Sequence, residues 1–256
     1  FAPARARDSS GFKQDYFAEL ARLEAGNFWF RARNRLIIWA LCCYFPAASR
    51  FFEIGCGTGF VLSGIKQALP NMALWGSEIS CVGLKFASSR LQGAMLLQMD
   101  ARQIPFENEF DVIGAFDVLE HIEEDEAVLR QLHQALVPGG GVILTVPQHR
   151  FLWSRQDEYA CHVRRYSRRE LVAKVMRAGF LVEKAVSFMS LLLPLMMASR
   201  LRKSIPAADF DPLSELRFGR LTNAALERIM NLELLFIRLG LPMPAGGSLL
   251  VVAKKV

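Results

Sequence analysis

The chain predicts a doubly wound, mostly parallel α/β sheet with helices on both faces, an N-terminal helical cap and a helical insertion before the last strand. Three observations carry this. Apolar runs of strand length alternate with stretches of helical period from Arg50 to Val146. The first run ends in a glycine-rich turn, FFEIGCGTGF at 51–60. The last two strand candidates are separated by residues 189–247, far more than an ordinary connection needs.

The elements follow in order. Apolar residues recur at helical spacing over Phe12–Ala25 and Arg31–Tyr44, so residues 1–45 read as a cap, with 1–10 a loose tail. Strands are expected at Arg50–Ile54, Ala73–Ser77, Met95–Gln98, Phe110–Ala115 and Gly141–Val146. Helices are expected near Phe60–Ala68, Gly83–Leu91, Glu124–Val137 and Ser167–Ala178. Strands at Leu181–Ser187 and Ser248–Ala253 complete a domain made of 46–188 and 248–256. Within the insertion, a helix over Leu221–Leu239 aligns Ala225, Ile229, Leu232, Phe236 and Leu239 along one side.

Composition sets bounds on function. Of 256 residues, 52% are hydrophobic and 22% charged, which permits a full core and excludes wholesale disorder. The net charge of +6 suits anionic partners, but it is too diffuse to indicate nucleic acid. The five cysteines, Cys42, Cys43, Cys56, Cys81 and Cys161, form no CxxC or zinc spacing, so reduced thiols in a cytoplasmic protein are expected. The stretch FMSLLLPLMM at 188–197, followed by Arg200, Arg202 and Lys203, is shorter than the roughly 18 to 20 apolar residues of a membrane span. The insertion reads as a lid or dimer surface buried against protein, in a monomer or homodimer. The alternative is peripheral contact with an anionic membrane.

A strand that ends in glycines and feeds a helix presents free backbone N–H groups to a ligand. No GxxxxGK[ST] follows, which excludes a P-loop. A dinucleotide loop places a third glycine where Phe60 stands, and Glu53 repels a pyrophosphate. Glu53 suits an ammonium group. Glu78, at the end of the second strand, can accept from both ribose hydroxyls. Asp100, after the third, can meet an adenine amino group. An amine, a ribose and an adenine without phosphate describe S-adenosylmethionine.

These residues, together with DARQIPF at 100–106, FDVIGAFDVLEHI at 110–122 and LVPGGGVILTVP at 136–147, resemble the class I S-adenosylmethionine-dependent methyltransferases, in the branch of the type 11 and type 12 domains. The resemblance runs from about Phe51 to Phe180 and implies a Rossmann-like sheet. It implies cofactor contacts from Glu53, Gly55, Gly57, Gly59, Glu78, Ile79, Asp100, Ala101, Phe116, Asp117 and Leu119. The flanks, EAGNFWFRARNRLI at 24–37 and FLWSRQDEYACHVRRYSRREL at 151–171, are similar to members that modify sugars, lipids or secondary metabolites. No N/D-PP-Y/F/W motif follows the fourth strand, which disfavours exocyclic amines of nucleic acid.

Ligands in such sheets bind beyond the C-terminal strand ends, which puts the loop after the fifth strand beside the acceptor. His149 and His162 are candidate general bases. Trp29, Trp153, Arg164, Arg165 and Tyr166 are candidate acceptor contacts, with the arginines suited to an anionic group. DVLEH at 117–121 resembles the metal-binding ExxEH of certain small-RNA and quinone-biosynthesis methyltransferases, with Asp for the first Glu. The favoured reading holds no metal: Glu120 and His121 cap the next helix and line the cofactor pocket. The rival functions are a nicotinamide-dependent oxidoreductase and a non-catalytic S-adenosylmethionine-binding module. The expected acceptor is a small-molecule, sugar or lipid-linked nucleophile, with S-adenosylhomocysteine as by-product.

Overall fold

The computed structural model describes residues 14–201 and 217–256. The tail expected at 1–10 and the cations Arg202 and Lys203 lie outside them. The strands are β1 (Arg50–Ile54), β2 (Ala73–Glu78), β3 (Met95–Gln98), β4 (Phe110–Phe116), β5 (Leu136–Pro147), β6 (Phe180–Phe188) and β7 (Ser248–Lys255). They form one sheet in the order β3-β2-β1-β4-β5-β7-β6. All neighbours run parallel except β7, which is antiparallel to both β5 and β6. The order reverses between β1 and β4, so the crevice at their C-terminal ends is where a ligand is expected.

Side chains alternate across a strand, and β1 sorts its apolar residues accordingly. Phe51 enters the core on one face, while Phe52 and Ile54 enter the core on the other. The first face is covered by α2 (Phe28–Tyr44), α3 (Phe60–Ala68) and α9 (Arg220–Arg238). The second is covered by α5 (Asp125–Ala135), whose Val128, Leu129 and Leu132 are fully buried, and by α7 (Arg168–Arg177). The remaining helices are α1 (Gln14–Leu23), α4 (Cys81–Arg90), α6 (Arg155–Tyr159) and α8 (Leu193–Leu201).

The cap is fastened to the glycine turn by a buried polar cluster. Glu24, between α1 and α2, accepts from the Thr58 hydroxyl at 2.7 Å and from Arg90 Nη1 at 2.8 Å. α2 starts at an N-cap, Asn27, whose side chain accepts from the Trp29 amide at 2.8 Å. The insertion crosses α2, where Glu227 of α9 pairs with Arg31 at 2.8 Å and Arg35 at 2.9 Å.

The inward face of α9 differs from expectation. Leu226, Met230, Glu233, Leu234 and Ile237 are its buried residues, whereas Ala225, Leu232 and Leu239 face solvent. The helix is turned by about one residue because Glu233 points inward, accepting from the Leu191 amide at 2.8 Å. A polar residue in the buried stripe hides that stripe from a search for apolar period. No helix among the described residues is long and apolar enough to cross a membrane. None of the five cysteines forms a disulfide.

Candidate active site

A cavity of about 1300 Å³ opens over the C-terminal ends of β1, β2 and β4. Gly55, Gly57 and Gly59 all have positive φ, at 68°, 54° and 75°, yet they do different work. A Cβ on Gly57 would meet nothing nearer than Phe17 at 4.0 Å, so the backbone lies open at the cavity wall. A Cβ on Gly59 would strike Leu91 at 2.8 Å and Ala87 at 3.1 Å, so this glycine lets α3 start hard against α4. Gly59 is the N-cap of α3 and does not line the cavity.

Glu53 is buried on the cavity wall, and its Oε2 has no hydrogen-bond partner. Desolvation pushes its carboxyl well above the usual range, against the opposing pull of Arg33. A buried, orphaned acceptor aimed at a cavity asks for a ligand donor. Glu78 receives the Gly57 amide at 3.1 Å and the Ser80 amide at 2.9 Å, which holds its carboxylate at the cavity edge. Burial raises its pKa as well. Asp100 lines the cavity too, but Arg102 grips both its oxygens, at 2.9 Å through Nε and 2.7 Å through Nη2. Ile79, Ala101, Phe116 and Asp117 lie on the same wall. Leu119 does not: it is fully buried in the core beside α5. The carboxylate acceptors and the open glycine backbone fit a nucleoside with an ammonium tail.

Asp117 sits in the left-handed region at φ 58° and forms an ion pair with Arg33, a residue the sequence reading did not single out. The Arg33 guanidinium also lies over the Trp29 ring, 4.5 Å from its centroid. The signal was present in FRARNR. Arg31 and Arg35, four apart, share one helix face and pair with Glu227, while Arg33 falls on the other and turns into the cavity. Trp29 lines the cavity with its neighbours Phe28 and Phe30.

The loop after β5 divides its candidates. His162 reaches the cavity, and Asp157 fixes its ring through Nδ1 at 2.9 Å. Asp157 is itself held by Arg165 Nε at 2.7 Å, Arg165 Nη2 at 3.0 Å and the Ser154 amide at 2.8 Å. Burial raises the Asp157 pKa, but the bonds from His162 and Arg165 outweigh it and hold the carboxyl well below the usual range. An ionised Asp157 accepts from Nδ1–H, and Nε2 faces Glu120, whose Oε1 lies 4.0 Å away. Arg165 lines the cavity but is committed to Asp157.

Other candidates from this loop lie away from the cavity. His149 is not on its wall; it stacks on Phe151 at 4.9 Å. Trp153 is 37% exposed and off the wall as well. Arg164 binds Asp125 at 2.8 Å and the Ile122 carbonyl at 3.0 Å. Tyr166 is fully buried and donates to Asp125 at 2.6 Å. These two brace α5 against the loop.

Glu120 and His121 do not cap the following helix. They form a 3-10 turn over Leu119–His121, and Glu124 takes the N-cap position of α5 without a side-chain bond. Glu120 is fully buried and neither oxygen has a hydrogen-bond partner, although His162 Nε2 lies 4.0 Å from its Oε1. Burial, then repulsion by Asp117, pushes its carboxyl well up. Burial and the neighbouring His162 lower the His121 pKa to about 4. Ligand atoms of Glu120, His121 and His162 all lie within 4.8 Å of one another, so these three can hold a metal ion that the sequence reading set aside.

Residues 20–185 match the family model described as a methyltransferase domain. The chain is 29% identical over 112 residues to the ubiquinone biosynthesis O-methyltransferase of Pseudomonas aeruginosa (strain UCBPP-PA14), covering 39% of this chain and 44% of that one. It thus spans less than half the length of that curated relative. Haemonchus contortus phosphoethanolamine N-methyltransferase 2, solved with S-adenosyl-L-methionine, superposes with a TM-score of 0.57 at 18% identity, over 87% of this chain and 52% of that one. A SAM-dependent methyltransferase from Thermotoga maritima superposes at 0.56 with 20% identity, over 95% and 97% of the two chains.

Proposed function

The chain belongs to the methyltransferase domain family, among the class I S-adenosylmethionine-dependent methyltransferases, and we propose that it methylates an oxygen or nitrogen nucleophile of a small organic, sugar or lipid-linked acceptor. One observation carries the reading. Glu53, with its orphaned oxygen, Glu78, the open backbone of Gly57 and His162 line one cavity at the switch point of the sheet. The O-methyltransferase named among the relatives supports an oxygen acceptor.

When bound, S-adenosylmethionine supplies a methyl group on a sulfonium, and its transfer leaves neutral S-adenosylhomocysteine. The protein places and deprotonates. Glu53 would hold the ammonium group, Glu78 the ribose hydroxyls and Arg33 the methionyl carboxylate. His162 Nε2 takes the acceptor's hydroxyl proton, and Asp157 stabilises the resulting imidazolium through Nδ1. The cap, fastened through Glu24 and Thr58, excludes water from the crevice.

Two experiments test this. Calorimetry with S-adenosylmethionine and with NAD is expected to give saturable binding of the first alone; failure to bind S-adenosylmethionine overturns the reading. A product captured from native extract with labelled methyl donor identifies the acceptor. With it, Asp157→Asn is expected to lower kcat about 10²–10⁴-fold and shift the acid limb of the pH profile, with KM little changed. A loss confined to KM would remove His162 from the chemistry. Binding without turnover across a broad acceptor panel would favour the non-catalytic module.

A further inference from the structure

The cavity is larger than the roughly 300–1000 Å³ pocket that a drug-sized ligand occupies. Its two ends differ in chemistry. Every carboxylate on its wall comes from residues 24–124. Among the described residues, α8 and the region around the start of α9 contribute none. There the wall is built from Phe28, Leu192, Leu195, Met196, Phe218 and Leu226. From Leu192, just before α8, the lining positions run through Leu195, Met196, Ser199 and Arg200 on the helix, spaced i, i+3, i+4, i+7 and i+8, so one helical face looks into the cavity. Phe28 and Phe218 meet edge to face at 5.4 Å. Leu195 and Phe218 are 60% and 40% exposed, which marks the mouth of this lobe.

Phe28 of this wall is followed on α2 by Trp29, and His162 lines the same cavity; the proposed function puts the acceptor's nucleophile at His162. A molecule filling the lobe therefore has a polar head at the reaction centre and an apolar body leading out past Leu195. The apolar side chains of this wall reward hydrocarbon, and Arg200 on the same face adds a cation but no acid.

We propose that this lobe binds a hydrocarbon chain, so that the acceptor is an amphipathic, lipid-class molecule with its nucleophile in its head. The assignment of the head rests on the methyl-transfer reading; binding of the chain does not. A neutral probe, N-dodecyl dansylamide, is expected to bind with a fluorescence gain. Dodecanol and decanol are expected to compete, with affinity falling about fourfold for each methylene removed. Farnesol competing better than dodecanol would assign a prenyl chain, and the reverse an acyl chain; both support the lobe. Leu195→Glu and Phe218→Glu change exposed side chains and are expected to weaken the probe at least tenfold. They should leave S-adenosylmethionine binding unchanged in calorimetry on the same samples. A dodecyl chain bearing a diazirine should label residues 189–200.

Probe affinity indifferent to both substitutions and to chain length, or labelling only elsewhere, overturns the proposal. Loss of the probe with S-adenosylmethionine binding intact in the wild type strikes this inference alone. Probe binding without S-adenosylmethionine binding strikes the methyl-transfer reading and leaves the chain site standing.

Discussion

His121 gives the protein an acid-labile point on the wall of its candidate active site. Its pKa falls from an ordinary 6.5 to about 4, first through burial and then through His162, whose ring centroid is 4.7 Å away. Asp117 pulls the other way, and Glu120 shares the cluster. A depressed histidine pKa means that the unfolded chain binds the proton more readily, so stability rises with pH wherever the two states differ. The contribution is fully present above pH 6.5, declines as pH falls toward 4, and is flat below. At 1.36 kcal/mol per pH unit, the whole drop corresponds to about 3 kcal/mol, and between pH 7 and pH 5 to about 2 kcal/mol. Glu53, Glu78 and Glu120 titrate in the opposite sense, since burial raises each of them. The histidine is therefore isolated as a difference between wild type and His121→Asn. Urea unfolding of both proteins at pH 7 and pH 5, with chelator present, measures it. The stability gap should shrink by about 2 kcal/mol at the lower pH. A gap that stays constant to within about 0.5 kcal/mol would show that His121 titrates normally and that the cluster is wetter than its packing implies.

Other expectations follow from the same geometry. Gly57→Ala should cost about 1–2 kcal/mol of stability from its left-handed φ and weaken S-adenosylmethionine binding in calorimetry. Gly59→Ala should cost more in chemical unfolding, because its new methyl meets Leu91 and Ala87. Arg33→Met should weaken S-adenosylmethionine about 10- to 100-fold, the worth of a lost charge-assisted bond, and lower the melting temperature of the free protein, since Asp117 loses its partner. Addition of Mg²⁺, Mn²⁺ or Zn²⁺ should raise the melting temperature of the wild type and not of Glu120→Gln if the three converging donors hold a cation. Equal methyl transfer with and without a strong chelator would confine these groups to proton chemistry.

Much of the site was legible locally. Gly57, Glu78 and the strands around them depend on residues within one strand–turn–helix unit, where φ preference and charge act over a few positions. Gly59 is expected from the sequence as a cofactor contact, whereas it lies off the cavity wall, against Leu91 and Ala87, which approach it only in space. His149 and His162 look alike along the chain. They separate because Asp157 and Arg165 turn one ring into the cavity while Phe151 holds the other outside it. Arg164 and Arg165 were equivalent as neighbours, yet they go to Asp125 and Asp157.

By itself, then, the sequence determined the alternation of strand and helix, the glycine turn and its acids, and through them the class of cofactor. Those signals are periodicities and spacings within short segments, and they survive without knowledge of what packs where. Only the tertiary structure decided which side chains share the cavity. It brought Arg33 from α2 to Asp117 after β4, drew Glu120, His121 and His162 together, and turned α9 onto Glu233. Each of these joins residues distant in the chain or selects one face of a helix. That choice is made by burial and by pairing of charge, which no local pattern records.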